Sequence, residues 1–130
     1  MILSVFVPII PVAKARPRFV RMGRFMRAYT AEKTADYEQA IKLYLTQHRP
    51  AAVPEGALKI VLTFHMPKPK AWRGAVFHVK RPDLDNLVKA VMDAMHGGWF
   101  KDDAQIAALS CSKVYSDQPG VQIDMGELSD

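Results

Sequence analysis

The sequence predicts an α+β domain, a small mixed four-stranded sheet packed with two main helices in the order β-α-β-α-β-β. Three observations carry that prediction. Four stretches rich in aliphatic and β-branched residues, at 2–9, 57–67, 105–116 and 120–128, read as strands. Two stretches with apolar residues at helical spacing, 31–48 and the one that stops at Gly97-Gly98, fall between the first three strands. The last two strands are joined by the tight "DQPG", whereas the earlier connections pass through helices, so parallel and antiparallel neighbours are both expected in one sheet. At 130 residues, 49% of them hydrophobic, the chain suits a single domain spanning 1–130 with a real core.

Taken in order, "ILSVFVPI" is a buried strand closed by Pro8 and Pro11. Thr30 reads as the N-cap of the first helix, in which Tyr37, Ala40, Ile41, Tyr44 and Leu45 recur on one face until "RPAAVPEG" ends it. "ALKIVLTFHMP" alternates as a strand. In the second helix Leu84, Leu87, Val88, Val91 and Met95 share a core-facing arc, while Lys89, Asp93 and His96 line up with Asp85 on another. Two final strands, "QIAALSCSKVYS" and "GVQIDMGEL", are expected to pair with each other, as a hairpin or otherwise. Trp99 and Phe100, after the glycines, are expected in the core, as is Cys111.

The net charge is +5, and the cations are segregated. No acid precedes Glu32, yet Lys14, Arg16, Arg18, Arg21, Arg24 and Arg27 fall within fourteen residues. A second acid-free stretch, 56–82, holds Lys68, Lys70, Arg73, Lys80 and Arg81. Proline and aromatic residues interleave both stretches, so they read as ordered loops. Arginine and lysine with rings between them suit a phosphate backbone with bases or sugars against the rings. The bland alternative is a basic surface kept for solubility. No run approaches the roughly 18 apolar residues needed to cross a membrane, and the apolar N-terminus has its cations after it, unlike a secretory signal. A soluble protein is expected. Cys111, the one cysteine, cannot form a disulfide within the chain, which favours the cytoplasm.

Against that basic background, "RPDLDNLVKAVMDAMHGGWFKDD" gathers five aspartates. A single Asp at a helix start is explained by capping. Asp83 and Asp85 exceed that requirement, and in an extended segment residues i and i+2 point the same way, so the pair can converge where the helix begins. Asp102 and Asp103 repeat the excess ahead of the third strand. Converging carboxylates repel unless a cation neutralises them, and oxygen donors without His or Cys suit Mg²⁺, with Mn²⁺ as a substitute. Lys89 has two readings of equal weight: an i,i+4 ion pair, or a cation placed to neutralise charge on a reacting phosphate. The acids and the basic surface together point to a metal-dependent phosphodiesterase acting on nucleic acid. The histidines, at 48, 65, 78 and 96, follow no metal-ligand spacing and read as structural or surface residues, and no serine or cysteine has the partners of a catalytic triad.

"RPDLDNLVKAVMDAMHGGWFKDDAQI" and the later "SKVY" resemble the RusA family of phage and prophage Holliday junction resolvases, closely over 80–115 and more loosely through "PKPKAW" and "ARPRFVRMGRFMRAYTAEKTADYEQAI". The resemblance implies a homodimer, branched DNA as partner, and Mg²⁺-dependent paired incisions at four-way junctions in recombination and repair. It also implies that Asp83, Asp85 and Asp103 are the metal-binding acids, with Asp102 the alternative third, that Lys89 is the catalytic lysine, and that Lys113 is a DNA contact. The long loop between "HMP" and "RPDLDN" departs from the short arginine-rich stretch of the family's best-known resolvase and leaves junction selectivity and any preferred cut dinucleotide open. Three rival functions remain: a flap or fork nuclease, a non-catalytic nucleic-acid-binding module, and a small-nucleotide phosphohydrolase.

Overall fold

The structure is a computed structural model that describes residues 3–14 and 23–130, with only the backbone given for 23–31. Its elements follow the expected order: β1 (Leu3–Val7), α1 (Gly23–Thr46), β2 (Leu58–Pro67), α2 (Leu84–Met95), a short 3-10 turn (Asp103–Gln105), β3 (Ile106–Ser116) and β4 (Gly120–Glu127). The four strands form one mixed sheet in the order β1-β4-β2-β3.

Alternation along the strands decides which face is covered. Leu3, Val5 and Val7 of β1, Leu58, Ile60, Leu62, Phe64 and Met66 of β2, and Val121, Ile123 and Met125 of β4 are all buried, while the residues between them are half-buried or exposed. A period of two therefore sends one face of the sheet into the core and leaves the other partly solvated. On the partly solvated face Ser4 Oγ donates to Asp124 Oδ1 at 2.7 Å, tying the paired residues of β1 and β4. Tyr37, Ile41 and Leu45 of α1 and Leu87, Val88, Val91 and Met95 of α2 join the same core, closed by Trp99 and Phe100. The helical spacing read from the sequence is thus the packing face in both helices. Cys111 is only half-buried, packed against this core.

Two expectations are corrected. The first helix begins at Gly23 rather than after Thr30; "GRFMRAYT" contains no breaker after its glycine, so helix propagates through residues whose arginines suggested a loop. Arg24 and Arg27 therefore lie on α1. The second correction concerns β3 and β4, which are not paired. β4 lies antiparallel between β1 and β2, and β3 runs parallel to β2 on its far side, so residues 117–119 step over the end of β2. The parallel β2-β3 pairing follows from the α2 crossover that joins them. Lys68, just past β2, stands 3.0 Å from Asp117 and pins the step.

Gly120, where β4 begins, has a steric reason to be glycine: a β-carbon there would fall 2.5 Å from Phe6 Cζ and 2.5 Å from the Val7 carbonyl. No helix among the described residues is long and apolar enough to cross a membrane.

Candidate active site

Asp83 occupies the N-cap of α2 with the extended backbone of a capping residue (φ −68°, ψ 142°), yet its carboxylate makes no capping hydrogen bond. Asp85 lies in the first turn, exposed, and its Oδ1 accepts from the Asn86 amide at 2.9 Å. Both carboxylates stand at the positive end of the helix macrodipole.

The 102/103 doublet divides its labour. Asp102 caps the 3-10 turn: its Oδ1 accepts from Ala104 N at 2.9 Å, and Gln105 reaches back to the Asp102 amide at 3.0 Å. The spacing from Asp102 to Gln105 is that of a capping box, a signal present in the sequence. Gln105 also accepts from Lys101 N and donates to the carbonyls of Pro54 and Gly56, at 2.9 and 3.1 Å, fastening the turn to the strand approach. Asp103 is left exposed, and its Oδ1 lies 3.9 Å from His96 Nδ1. His96 in turn stacks on Phe100 at 5.9 Å, its Nε2 3.0 Å from the Lys101 carbonyl.

This geometry separates the acids into two groups. Asp83 and Asp85 stand at the N-terminal end of α2, and Asp103 faces His96 just past its C-terminal end. The helix rises about 16 Å between residues 85 and 96, whereas two ligands of one Mg²⁺ lie within about 4.2 Å of each other. Among the described residues no three His, Cys, Asp or Glu side chains are gathered tightly enough to hold a metal ion. The donors suit a hard divalent ion in kind, being carboxylate oxygens alone, and one chain assembles too few of them in one place.

The basic residues also divide. Lys14 is engaged within the fold: its ammonium lies 2.7 Å from Glu38 of α1 and 3.1 Å from Asp93 of α2, and its amide donates to the Asn86 carbonyl at 2.9 Å. The hydrogen bond to Glu38 foremost, and that to Asp93, raise its pKa against the opposing cost of burial. Lys89 is exposed and approaches Asp93 at 3.6 Å, one turn forward on α2. Lys113 of β3 donates to the carbonyls of Lys80 and Pro82, each at 2.8 Å, and so holds the chain that delivers Asp83. Lys70, Arg73, Lys80 and Arg81 are exposed along 68–82. Arg16, Arg18 and Arg21 lie outside the described residues, as do the side chains of Arg24 and Arg27.

A family model described as endodeoxyribonuclease RusA matches residues 8–126. The chain belongs to the RusA endodeoxyribonuclease family. It is similar to the uncharacterized protein YqaN of Bacillus subtilis (strain 168), 34% identical over 131 residues that cover 92% of each chain. It is also similar to the crossover junction endodeoxyribonuclease rusA of Lactococcus phage r1t, 29% identical over 106 residues that cover 79% of each. Membership supports a DNA endonuclease at the level of the family.

Proposed function

We propose that the chain is a Mg²⁺-dependent endonuclease that resolves four-way DNA junctions by paired, symmetric phosphodiester hydrolysis, acting as a homodimer in recombination and repair. The observation that carries this reading is Asp83: it stands where a capping residue stands and does no capping, beside a second exposed carboxylate, in a member of a nuclease family. Asp83, Asp85 and Asp103 are the metal-binding acids in this reading, since Asp102 is occupied at its turn. A bound ion would supply charge neutralisation at the scissile phosphate and acidify the attacking water. Lys89, exposed one turn from Asp85, neutralises charge on the reacting phosphate.

A second copy supplies what one chain lacks. Among the described residues, 106–112 of β3 pair with β2 on one side and no strand on the other, and Leu109, at 47% exposure, stands on this edge. A twofold antiparallel pairing centred on Leu109 uses residues 106–112, setting Ile106 of one chain opposite Ser112 of the other and stopping short of 113–115, whose edge residues 76–78 already occupy. Ser112 adjoins Lys113, whose ammonium touches the Pro82 carbonyl beside Asp83, and Ile106 follows Asp103 by three residues. In this arrangement Asp103 of the second copy is carried toward the acid pair at each α2 N-terminus, and two equivalent sites serve two strands.

The test is a labelled synthetic four-way junction incubated with Mg²⁺ and either wild type or Asp85→Asn. Paired symmetric nicks by wild type, with unchanged binding and no nicks by the variant, are expected. Equal cutting by the variant would remove Asp85 from the site, and preferential cutting of flaps or forks would replace the substrate.

A further inference from the structure

The segment between β2 and α2, residues 68–82, is built as an ordered element rather than left loose. Trp72 closes its first turn, with its amide donating to Pro69 O at 3.0 Å and its indole Nε1 to Ala75 O at 2.9 Å, and Gly74 supplies the left-handed residue (φ 93°) that the turn requires. Lys68 lies 4.0 Å from the centre of the Trp72 ring. Residues 76–78 then run antiparallel along the outer edge of β3: Tyr115 N donates to Val76 O at 2.9 Å, His78 N to Lys113 O at 3.1 Å, and Phe77 bridges Val114. Lys113 fixes the far end through the carbonyls of Lys80 and Pro82.

A ribbon held at both ends and in the middle nevertheless presents apolar side chains to solvent. Phe77 is 63% exposed and Val79 85%. Exposed apolar groups grouped on a fixed backbone mark a contact surface, because contact removes them from water. The charges around them say for which partner. Lys70, Arg73, Lys80 and Arg81 flank the pair, all exposed, and no acid occurs from 56 to 82. A second copy of a chain with net charge +5 would bring like charge against like at this tip. A polyanion with apolar faces of its own satisfies both halves of the surface, with phosphates on the cations and base faces on Phe77 and Val79.

Position narrows the partner further. Val79 precedes Asp83 by four residues, so the tip lies within about 14 Å of chain from the candidate acids. Bases in continuous duplex are stacked on one another and offer no face at that range; bases at a branch point do.

We propose that Phe77 and Val79 form a wedge that packs against unstacked bases at the DNA branch point, and that this ribbon sets the preference for branched over linear DNA. The inference rests on the nuclease reading above. It is tested without cleavage, in EDTA, on a four-way junction carrying 2-aminopurine at its centre and on a linear duplex of matched length. Wild type should raise the 2-aminopurine fluorescence as the base leaves its stack and should bind the junction more tightly than the duplex. Phe77→Ser/Val79→Ser, with an unchanged thermal midpoint because both side chains are exposed, should give no rise and lose about tenfold or more in junction affinity while its duplex affinity and salt dependence stay as in wild type. Lys80→Ala/Arg81→Ala should weaken both DNAs alike and flatten the salt dependence.

Equal losses by the Phe77/Val79 variant on junction and duplex would overturn the wedge, as would loss on neither. A change in its solution mass would also overturn it, by making a second copy the occupant. A wild type without preference for the junction overturns the proposed function and the wedge with it, whereas a wild type and variant with the same preference overturn the wedge alone.

Discussion

If the acids of one site come from two chains, two inactive variants should repair each other. Asp85→Asn and Asp103→Asn each remove one charge from both sites of their own homodimer, so each alone should be inactive. In a mixed dimer one site collects both lesions and the other collects none. Random pairing makes about half of the dimers mixed, and each of these carries one intact site in two, so about a quarter of the wild-type sites should return. The expectation follows from the span of α2: about 16 Å of helix separates residues 85 and 96, with Asp103 beyond at 3.9 Å from His96. Nicking of a junction labelled on each strand, after the variants are co-refolded, measures it. The recovered activity should consist of single nicks, because a mixed dimer cannot cut both strands. A mixture as inactive as its components would refute the shared site, and so would either variant cutting normally on its own.

Gln105→Ala should cost about 2 kcal/mol by removing the capping box and the carbonyl contacts at Pro54 and Gly56, and should lower nicking beyond that by freeing Asp103; urea unfolding and junction cleavage measure the two effects. Lys14→Met should lower stability by about 1–2 kcal/mol, since it leaves Glu38 and Asp93 facing each other between α1 and α2, while the salt dependence of DNA binding stays unchanged; a flattened salt dependence would instead make Lys14 a phosphate contact. Burial, then the charge of Lys113, holds the His78 pKa below the usual histidine value of 6.5. The folded state therefore binds fewer protons than the unfolded chain as pH falls through 6.5, so the stability tied to neutral His78 is complete above that pH and is lost below it. Thermal midpoints at pH 7.5 and 5.5 should fall more for wild type than for His78→Phe; parallel falls would remove His78 from the linkage.

Local pattern carried much of the fold. Strand alternation in "LKIVLTFHMP" and the arc of Leu87, Val88, Val91 and Met95 describe which atoms leave water, and burial follows them directly. What was not legible is long-range. "DQPG" between two strands reads as a hairpin because short connections usually join neighbours, yet β2 takes the place between them, and the partners that hold that choice, Lys68 at Asp117 and Phe6 at Gly120, are far away in sequence. The start of α1 is not legible in the sequence because the clustered arginines that suggest a nucleic-acid loop are also good helix formers. At the site, the extended backbone at Asp83 is legible as that of a residue just before a helix, whereas the distance to Asp103 is a property of helix length and of where the turn at 103–105 lands. Lys113 had a role assigned by resemblance, and its bonds to Lys80 and Pro82 come from strand register, which one sequence does not disclose.

β4 is the last of the four strands in sequence among the described residues and an inner strand of the sheet: Leu3 pairs with Met125 at one side of it and Leu58 with Glu127 at the other. During synthesis β1 must therefore wait, its apolar side chains unsheltered, until residues through the end of β4 have left the ribosome. Closing so large a loop makes the native contacts mostly distant ones, which slows folding. A nascent chain arrested before residue 120 would expose two unsatisfied strand edges, the kind of surface that chaperones bind and that seeds aggregation.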